Sequence, residues 1–146
     1  MRPLSLACLL AAVLSLPTPA AAQTGIGAQI GDPTGLSLRV GAGRGSVALA
    51  AGWSFGDTDR ITLDAHYLLR DRPIDGDADL RLFYGPGVYV RAQEDRDTQF
   101  GASLGVGLSL YATREIELYG LVAPRLRLAP STDFELGGGV GGRIYF

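Results

Sequence analysis

The chain has 146 residues, 47% apolar and only 19% charged, with 21 glycines and 8 prolines, enough for one domain. Its 13 basic residues are all arginine; with Arg2 set aside in a leader, they leave a net charge near −3 against 15 acids. That sign argues against a nucleic-acid binder, and the absence of lysine and asparagine leaves few residues suited to face water.

Residues 1–22 read as a signal peptide. Arg2 supplies a short basic start, Leu4 to Leu16 an apolar run too short to span a bilayer, and Pro17 and Pro19 break it before Ala20-Ala21-Ala22, an A-x-A cleavage site. The mature domain is then 23–146, starting at Gln23. Cys8, the one cysteine, comes too early in the apolar run for a lipid anchor, and Ser5 holds the place where such a motif needs leucine. The exported protein therefore has no thiol, disulfide framework or cysteine metal site.

No later stretch approaches 18 consecutive apolar residues; alternation takes its place. Between Arg60 and Arg70, Ile61, Leu63, Ala65, Tyr67 and Leu69 fall on one face and Arg60, Thr62, Asp64, His66 and Arg70 on the other. The same pattern predicts eight strands: 24–31, 35–41, 46–55, 60–70, 79–91, 99–111, 115–128 and 133–146. Turn signals such as Asp32-Pro33-Thr34-Gly35 and Gly43-Arg44-Gly45 join them, and consecutive hairpins make an up-and-down meander.

One face of these strands carries only Ala, Val, Ile, Leu, Phe, Trp, Tyr, Gly and Pro. The other carries Arg39, Arg60, Arg70, Arg81, Arg91, Arg125, Arg127 and Arg143 with Asp64, Asp79, Glu115, Glu117, Asp133 and Glu135. Two opposite barrels fit: a soluble one with an apolar cavity, or a membrane one with the charges inside. Glycines decide. Gly85, Gly87, Gly101, Gly105, Gly107, Gly137, Gly139 and Gly141 share the charged face, where a crowded interior needs space and a wet surface does not. The expectation is an all-β, eight-stranded antiparallel up-and-down transmembrane β-barrel with a packed polar lumen.

A trial register pairs Arg127 with Asp133, Arg125 with Glu135 and Glu117 with Arg143 as lumen ion pairs, and sets Tyr119 beside Gly141. Pairing Tyr111 with Glu115 sets Tyr119 beside Gly107 as well; pairing Arg91 with Gln99 sets Tyr89 against Gly101 and Phe83 against Gly107. A bulge at Pro86 or Pro124 would shift part of this. With both termini in the periplasm, Trp53, Phe55, Phe100 and Phe134 form an outer aromatic girdle, and Tyr67 and Phe146 lie near the inner edge. The outer loops, 32–35, 56–59, 92–98 and 129–132, carry Asp32, Asp57, Asp59, Glu94, Asp95 and Asp97 against Arg96.

In size, leader, eight alternating strands and terminal Phe146, preceded on one face by Ile144 and Val140, the chain resembles the small bacterial outer-membrane barrels of the OmpA-transmembrane-domain and OmpX type. Gly31-Asp32-Pro33-Thr34-Gly35-Leu36, Pro130-Ser131-Thr132-Asp133-Phe134 and Arg143-Ile144-Tyr145-Phe146 are similar to a branch of such barrels with no established chemistry. The resemblance implies a cell outer-membrane location, contact with lipid and lipopolysaccharide, and an assembly signal at Phe146 and Ile144 read by the outer-membrane assembly machinery.

Enzyme readings fare poorly. The lipid-facing residues include no serine or histidine for a hydrolase, and a charged lumen does not suit an acyl-chain ruler. His66, the one histidine, falls among interior polar groups, where it is structural. Asp75-Gly76-Asp77-Ala78-Asp79 starts like a calcium loop but has Leu80 and Pro86 where glycine and glutamate belong. The sequence thus predicts a monomeric, non-enzymatic barrel without cofactor, metal or nucleic acid, with a structural or envelope role. Surface binding as an adhesin or loop receptor, and a narrow pore, are the alternatives.

Overall fold

The computed structural model describes residues 23–54, 59–69, 71–94 and 96–146. Among them are nine strand segments: β1 Thr24–Asp32, β2 Gly35–Ala42, β3 Gly45–Ser54, β4 Arg60–Leu68, β5 Arg72–Ile74, β6 Leu80–Gln93, β7 Gln99–Tyr111, β8 Ile116–Ala129 and β9 Asp133–Tyr145. Chain neighbours other than β4 and β5 pair antiparallel, β1 closes on β9, and β4 pairs with β6 from Arg60↔Gln93 to His66↔Gly87. β5 continues the line of β4 along the same partner, Arg72↔Leu82 to Ile74↔Leu80, with the Leu69 amide bonded to the Tyr84 carbonyl between them. The sheet is therefore a closed eight-stranded barrel. Closure removes the sheet edges that an open sheet would leave unpaired. The predicted strand 60–70 is corrected on this point: it breaks after Leu68 and resumes at Arg72.

Alternation decides which side chains go inside. Outward positions on every long strand are apolar, from Ile26, Ala28 and Ile30 on β1 to Phe134, Leu136, Val140 and Ile144 on β9, and Ile30 is 72% exposed. Gln29, Ser37, Arg39, Thr62, Asp64, His66, Arg91, Ser103, Ser109, Glu117, Arg125 and Arg143 are buried in the lumen. The core of this protein is polar and its wall is greasy, the reverse of a water-soluble domain.

Pro86↔Leu104 and Pro124↔Leu136 keep register on one side of each strand; on the other, the β4 ladder ends at His66↔Gly87 and the β7 ladder lacks pairs between Ser103↔Arg125 and Val106↔Val122, so each proline interrupts pairing without shifting the register there. One register shift falls at Phe100/Gly101, where Phe100 faces Ala129 and Gly101 faces Arg127, leaving Leu128 as the extra residue; a second, also of one residue, separates β4 from β5 along β6. Tyr111 faces Glu117 rather than Glu115, because Ala112–Glu115 form the turn, closed by the Ala112 amide on the Ile116 carbonyl. The shift is by two residues, so every side chain keeps its face while its neighbour changes. Tyr119 accordingly lies beside Ser109 and Gly141, and Gly107 beside Leu121.

Candidate functional site

Three tiers of side chains fill the lumen, counted from the end that holds the termini, here the near end. The near tier centres on Glu117, from β8. Its Oε1 accepts from Arg143 Nη1 at 2.6 Å and from the Tyr145 hydroxyl at 3.1 Å; its Oε2 accepts from Arg39 Nη1 at 3.0 Å and from Ser109 Oγ at 2.7 Å. Arg39 also donates to Asp71 Oδ1 at 2.6 Å and to Ser46 Oγ at 2.9 Å. Two carboxylates and two guanidiniums are thus held in a low-dielectric interior with hydrogen bonds on both sides, the condition under which a buried ion pair is tolerated. Arg81 and Asp79 form a further pair, at 2.9 Å, on the exposed near rim.

Above this tier the lumen turns apolar. Leu68, Phe83 and Tyr119 pack together, with Ala48 and Leu121 against them, and form a septum. Arginines stack on it from the near side: the Arg143 guanidinium lies 3.8 Å from the Tyr119 ring centroid and that of Arg39 5.4 Å from Phe83. The Tyr119 hydroxyl hydrogen-bonds Gln29 Oε1 at 2.9 Å and Ser37 Oγ at 2.8 Å. This septum is absent from the sequence-based expectation, although Leu68 lies two residues beyond His66 on the polar face and Leu121 two beyond Tyr119, which is the signal for it.

The far tier holds Arg91, Arg125 and Arg127 with Asp32, Asp64, Asp133 and Glu135. Arg125 donates to Asp64 Oδ2 at 2.5 Å and, from β8, to Asp32 Oδ2 and the Asp32 carbonyl at 3.2 and 2.9 Å. Glu135 accepts from Arg91 at 3.2 Å and Arg127 at 3.4 Å, and Asp133 from Arg127 at 3.1 Å. Arg125 and Glu135 occupy paired positions, as do Arg127 and Asp133, and Glu117 and Arg143. The expected Arg125–Glu135 ion pair is nevertheless not made: Arg125 lies over the Tyr89 ring, 5.1 Å from its centroid, and turns to carboxylates from other strands. Glu135 is left to Arg91 and Arg127.

Glycines make room for these groups. A Cβ on Gly137 would fall 2.3 Å from Arg125 Cζ; one on Gly141, Gly107 or Gly87 would lie 2.7 Å from the Tyr119 hydroxyl, 2.4 Å from the Phe83 ring or 2.4 Å from His66, and also within 2.4 Å of a neighbouring carbonyl oxygen. Gly101 is paired with Tyr89, but a Cβ there would meet backbone at Leu126 and Arg127 rather than the ring. His66 Nε2 lies 2.8 Å from Ser103 Oγ, and among the described residues no carboxylate is bonded to that dyad.

Of the aromatic positions singled out on the wall, Trp53, Phe100 and Phe134 are exposed toward the far end and Tyr67 and Phe146 toward the near end. Phe146 and Ile144 point outward, and the Phe146 amide bonds the Thr24 carbonyl at 3.1 Å, fastening the closing seam. Phe55, Asp57, Arg70, Asp95 and the leader with Cys8 lie outside the described residues. Asp75, Asp77 and Asp79 are exposed in the near-side turn.

No protein-family profile matches the chain, and no curated protein matches it. Among solved structures it is similar to Neisserial surface protein A (NspA), with a TM-score of 0.52 at 14% identity over 86% of this chain and 94% of that one. The likeness is one of fold: a small closed barrel whose length is nearly matched end to end.

Proposed function

We propose that the chain is a non-enzymatic integral protein of a bacterial outer membrane, exported by its leader and acting structurally through the barrel. The observation that carries this reading is the outer wall. Every outward strand position between the aromatic positions is apolar, while the charged groups deep in the lumen, Arg39, Glu117, Arg143, Arg125 and Asp64, are enclosed and paired. Turned outward, each arginine would cost roughly 2 to 4 kcal/mol at a bilayer midplane. Trp53, Phe100 and Phe134 at one rim and Tyr67 and Phe146 at the other suit the two interfaces. Phe146 and Ile144 serve as the assembly signal, and lipid and lipopolysaccharide are the neighbours of a monomer.

The septum and the two salt-bridge tiers argue against a pore. Surface binding is the second reading. It is favoured by an open cleft of ≈ 560 Å³ lined by Arg96, Asp97, Gln99 and Pro130 at the far rim. Cell fractionation with an unheated gel tests the first reading: the protein is expected in the outer-membrane fraction with a mobility that changes on boiling. Planar-bilayer conductance near zero is expected. Loss of cell-surface binding on replacing residues 92–98, with the barrel intact, would instead establish the adhesin.

A further inference from the structure

The one-residue shift between β4 and β5 reverses which way the chain presents its side chains. His66 and Leu68 are buried in the lumen, so strict alternation would send Arg72 inward and Asp71 out to the wall. Between His66↔Gly87 and Arg72↔Leu82 the chain holds one residue more than β6 does, and that extra residue exchanges the two. Asp71 turns in and bonds Arg39 at 2.6 Å. Arg72 turns out: its partner Leu82 is paired with Leu108, which stands 42% exposed on the wall.

Arg72 is therefore a cation on a greasy surface. It lies beyond Tyr67 toward the near end, on a face where Leu69, Ile74 and Leu108 are exposed. A second arginine approaches from the side. The β3–β4 ladder ends at Ser46↔Leu68, which sets the exposed Arg44 of the β2–β3 turn beside the segment between Leu68 and Arg72. Tyr67 props that turn: its hydroxyl donates to the Ala42 carbonyl at 3.3 Å, and its ring lies against Gly45. Neither Arg44 nor Arg72 takes part in an ion pair among the described residues. Of the acids nearby, Asp71 is engaged in the lumen, and Asp75, Asp77 and Asp79 follow Ile74 in the turn beyond the strand ends.

An unpaired guanidinium at the edge of an apolar wall is matched by an anion that is itself joined to apolar chains. A phospholipid phosphate meets both demands, since arginine grips phosphate through paired N–H donors. A soluble anion would match the charge and leave Leu69, Ile74 and Leu108 in water.

We propose that Arg72 and Arg44 form a binding site for the phosphate of an anionic phospholipid in the near leaflet, its acyl chains lying along Leu69 and Leu108. The site rests on the reading of the wall as lipid-facing, and one experiment separates the two. Full-length protein carrying Trp53→Phe and Leu69→Trp, refolded into phosphatidylcholine vesicles, has its one tryptophan beside the site. Brominated phosphatidylglycerol is expected to associate there at least about three-fold more strongly than brominated phosphatidylcholine, read from quenching at equal mole fractions. Arg44→Gln with Arg72→Gln is expected to bring the ratio to about one. Arg114→Gln, at an exposed arginine of the β7–β8 turn, is expected to leave it unchanged. Leu108→Trp in place of Leu69→Trp repeats the measurement from the neighbouring staves. Equal association of the two lipids, or a preference that survives the double substitution, would overturn the site and leave the wall reading standing. Quenching by neither lipid would overturn both.

Discussion

Arg125 on β8 and Asp64 on β4 meet at 2.5 Å across the lumen, although their strands do not pair. The barrel's curvature, rather than the ladder, brings them together. Each is also hemmed in. Arg125 is fully buried between Tyr89 and Gly137, and Asp64 is bonded through one oxygen only.

Arg125→Ala leaves Asp64 as a buried charge without its cation and is expected to destabilise the barrel by about 3–5 kcal/mol. Combining it with Asp64→Ala is expected to cost clearly less than the sum of the two single changes. Denaturant unfolding of the protein folded in detergent measures the cycle. Coupling of Arg125 to Glu135 in place of Asp64 would show that the cross-strand neighbour holds the guanidinium.

Gly137→Ala places a methyl where the Arg125 guanidinium lies. Overpacking of this kind costs roughly 1–3 kcal/mol. In the Arg125→Ala background the three atoms nearest that methyl are gone, so the penalty is expected to fall sharply there. An undiminished penalty in that background would mean that the backbone at 137, not the arginine, resists the side chain.

Glu117 and Asp79 are both carboxylates bonded to arginine, and they are expected to behave differently. Glu117→Ala strands two buried guanidiniums, Arg39 and Arg143, and is expected to cost several kcal/mol, about 3–5. Asp79→Ala removes an exposed pair with Arg81 and is expected to change stability by less than about 1 kcal/mol. Unfolding midpoints of the two variants, compared under identical conditions, decide between a lumen held by its interior network and one held by its rim.

What could be read from the chain follows from how local each feature is. The eight alternating staves and the ladder from Glu117↔Arg143 to Arg127↔Asp133 were legible, because a short turn at Pro130–Thr132 joins strands of opposite charge pattern. Pairing Tyr111 with Glu115 falls two residues short because the Ala112–Glu115 turn is longer than the tightest hairpin, its end held by the Thr113 hydroxyl, which accepts from the Glu115 and Ile116 amides. Partners such as Arg39 with Glu117, or Arg125 with Asp64, lie on strands that do not touch, so they depend on barrel stagger that alternation does not encode. The septum was readable in principle. Leu68 and Leu121 interrupt an otherwise polar face, and an apolar interruption inside a charged lumen marks a layer where side chains pack on each other rather than on ions.

Trp53 is the sole tryptophan, placed on the outer wall at the far rim, and so it reports directly on what surrounds the barrel. Protein refolded into vesicles of brominated lipid is expected to lose Trp53 fluorescence, most strongly when the bromines sit near the headgroup end of the acyl chain, with little effect from aqueous iodide. Emission quenched by iodide and indifferent to the brominated lipid would contradict the account, because the greasy wall would then be facing water.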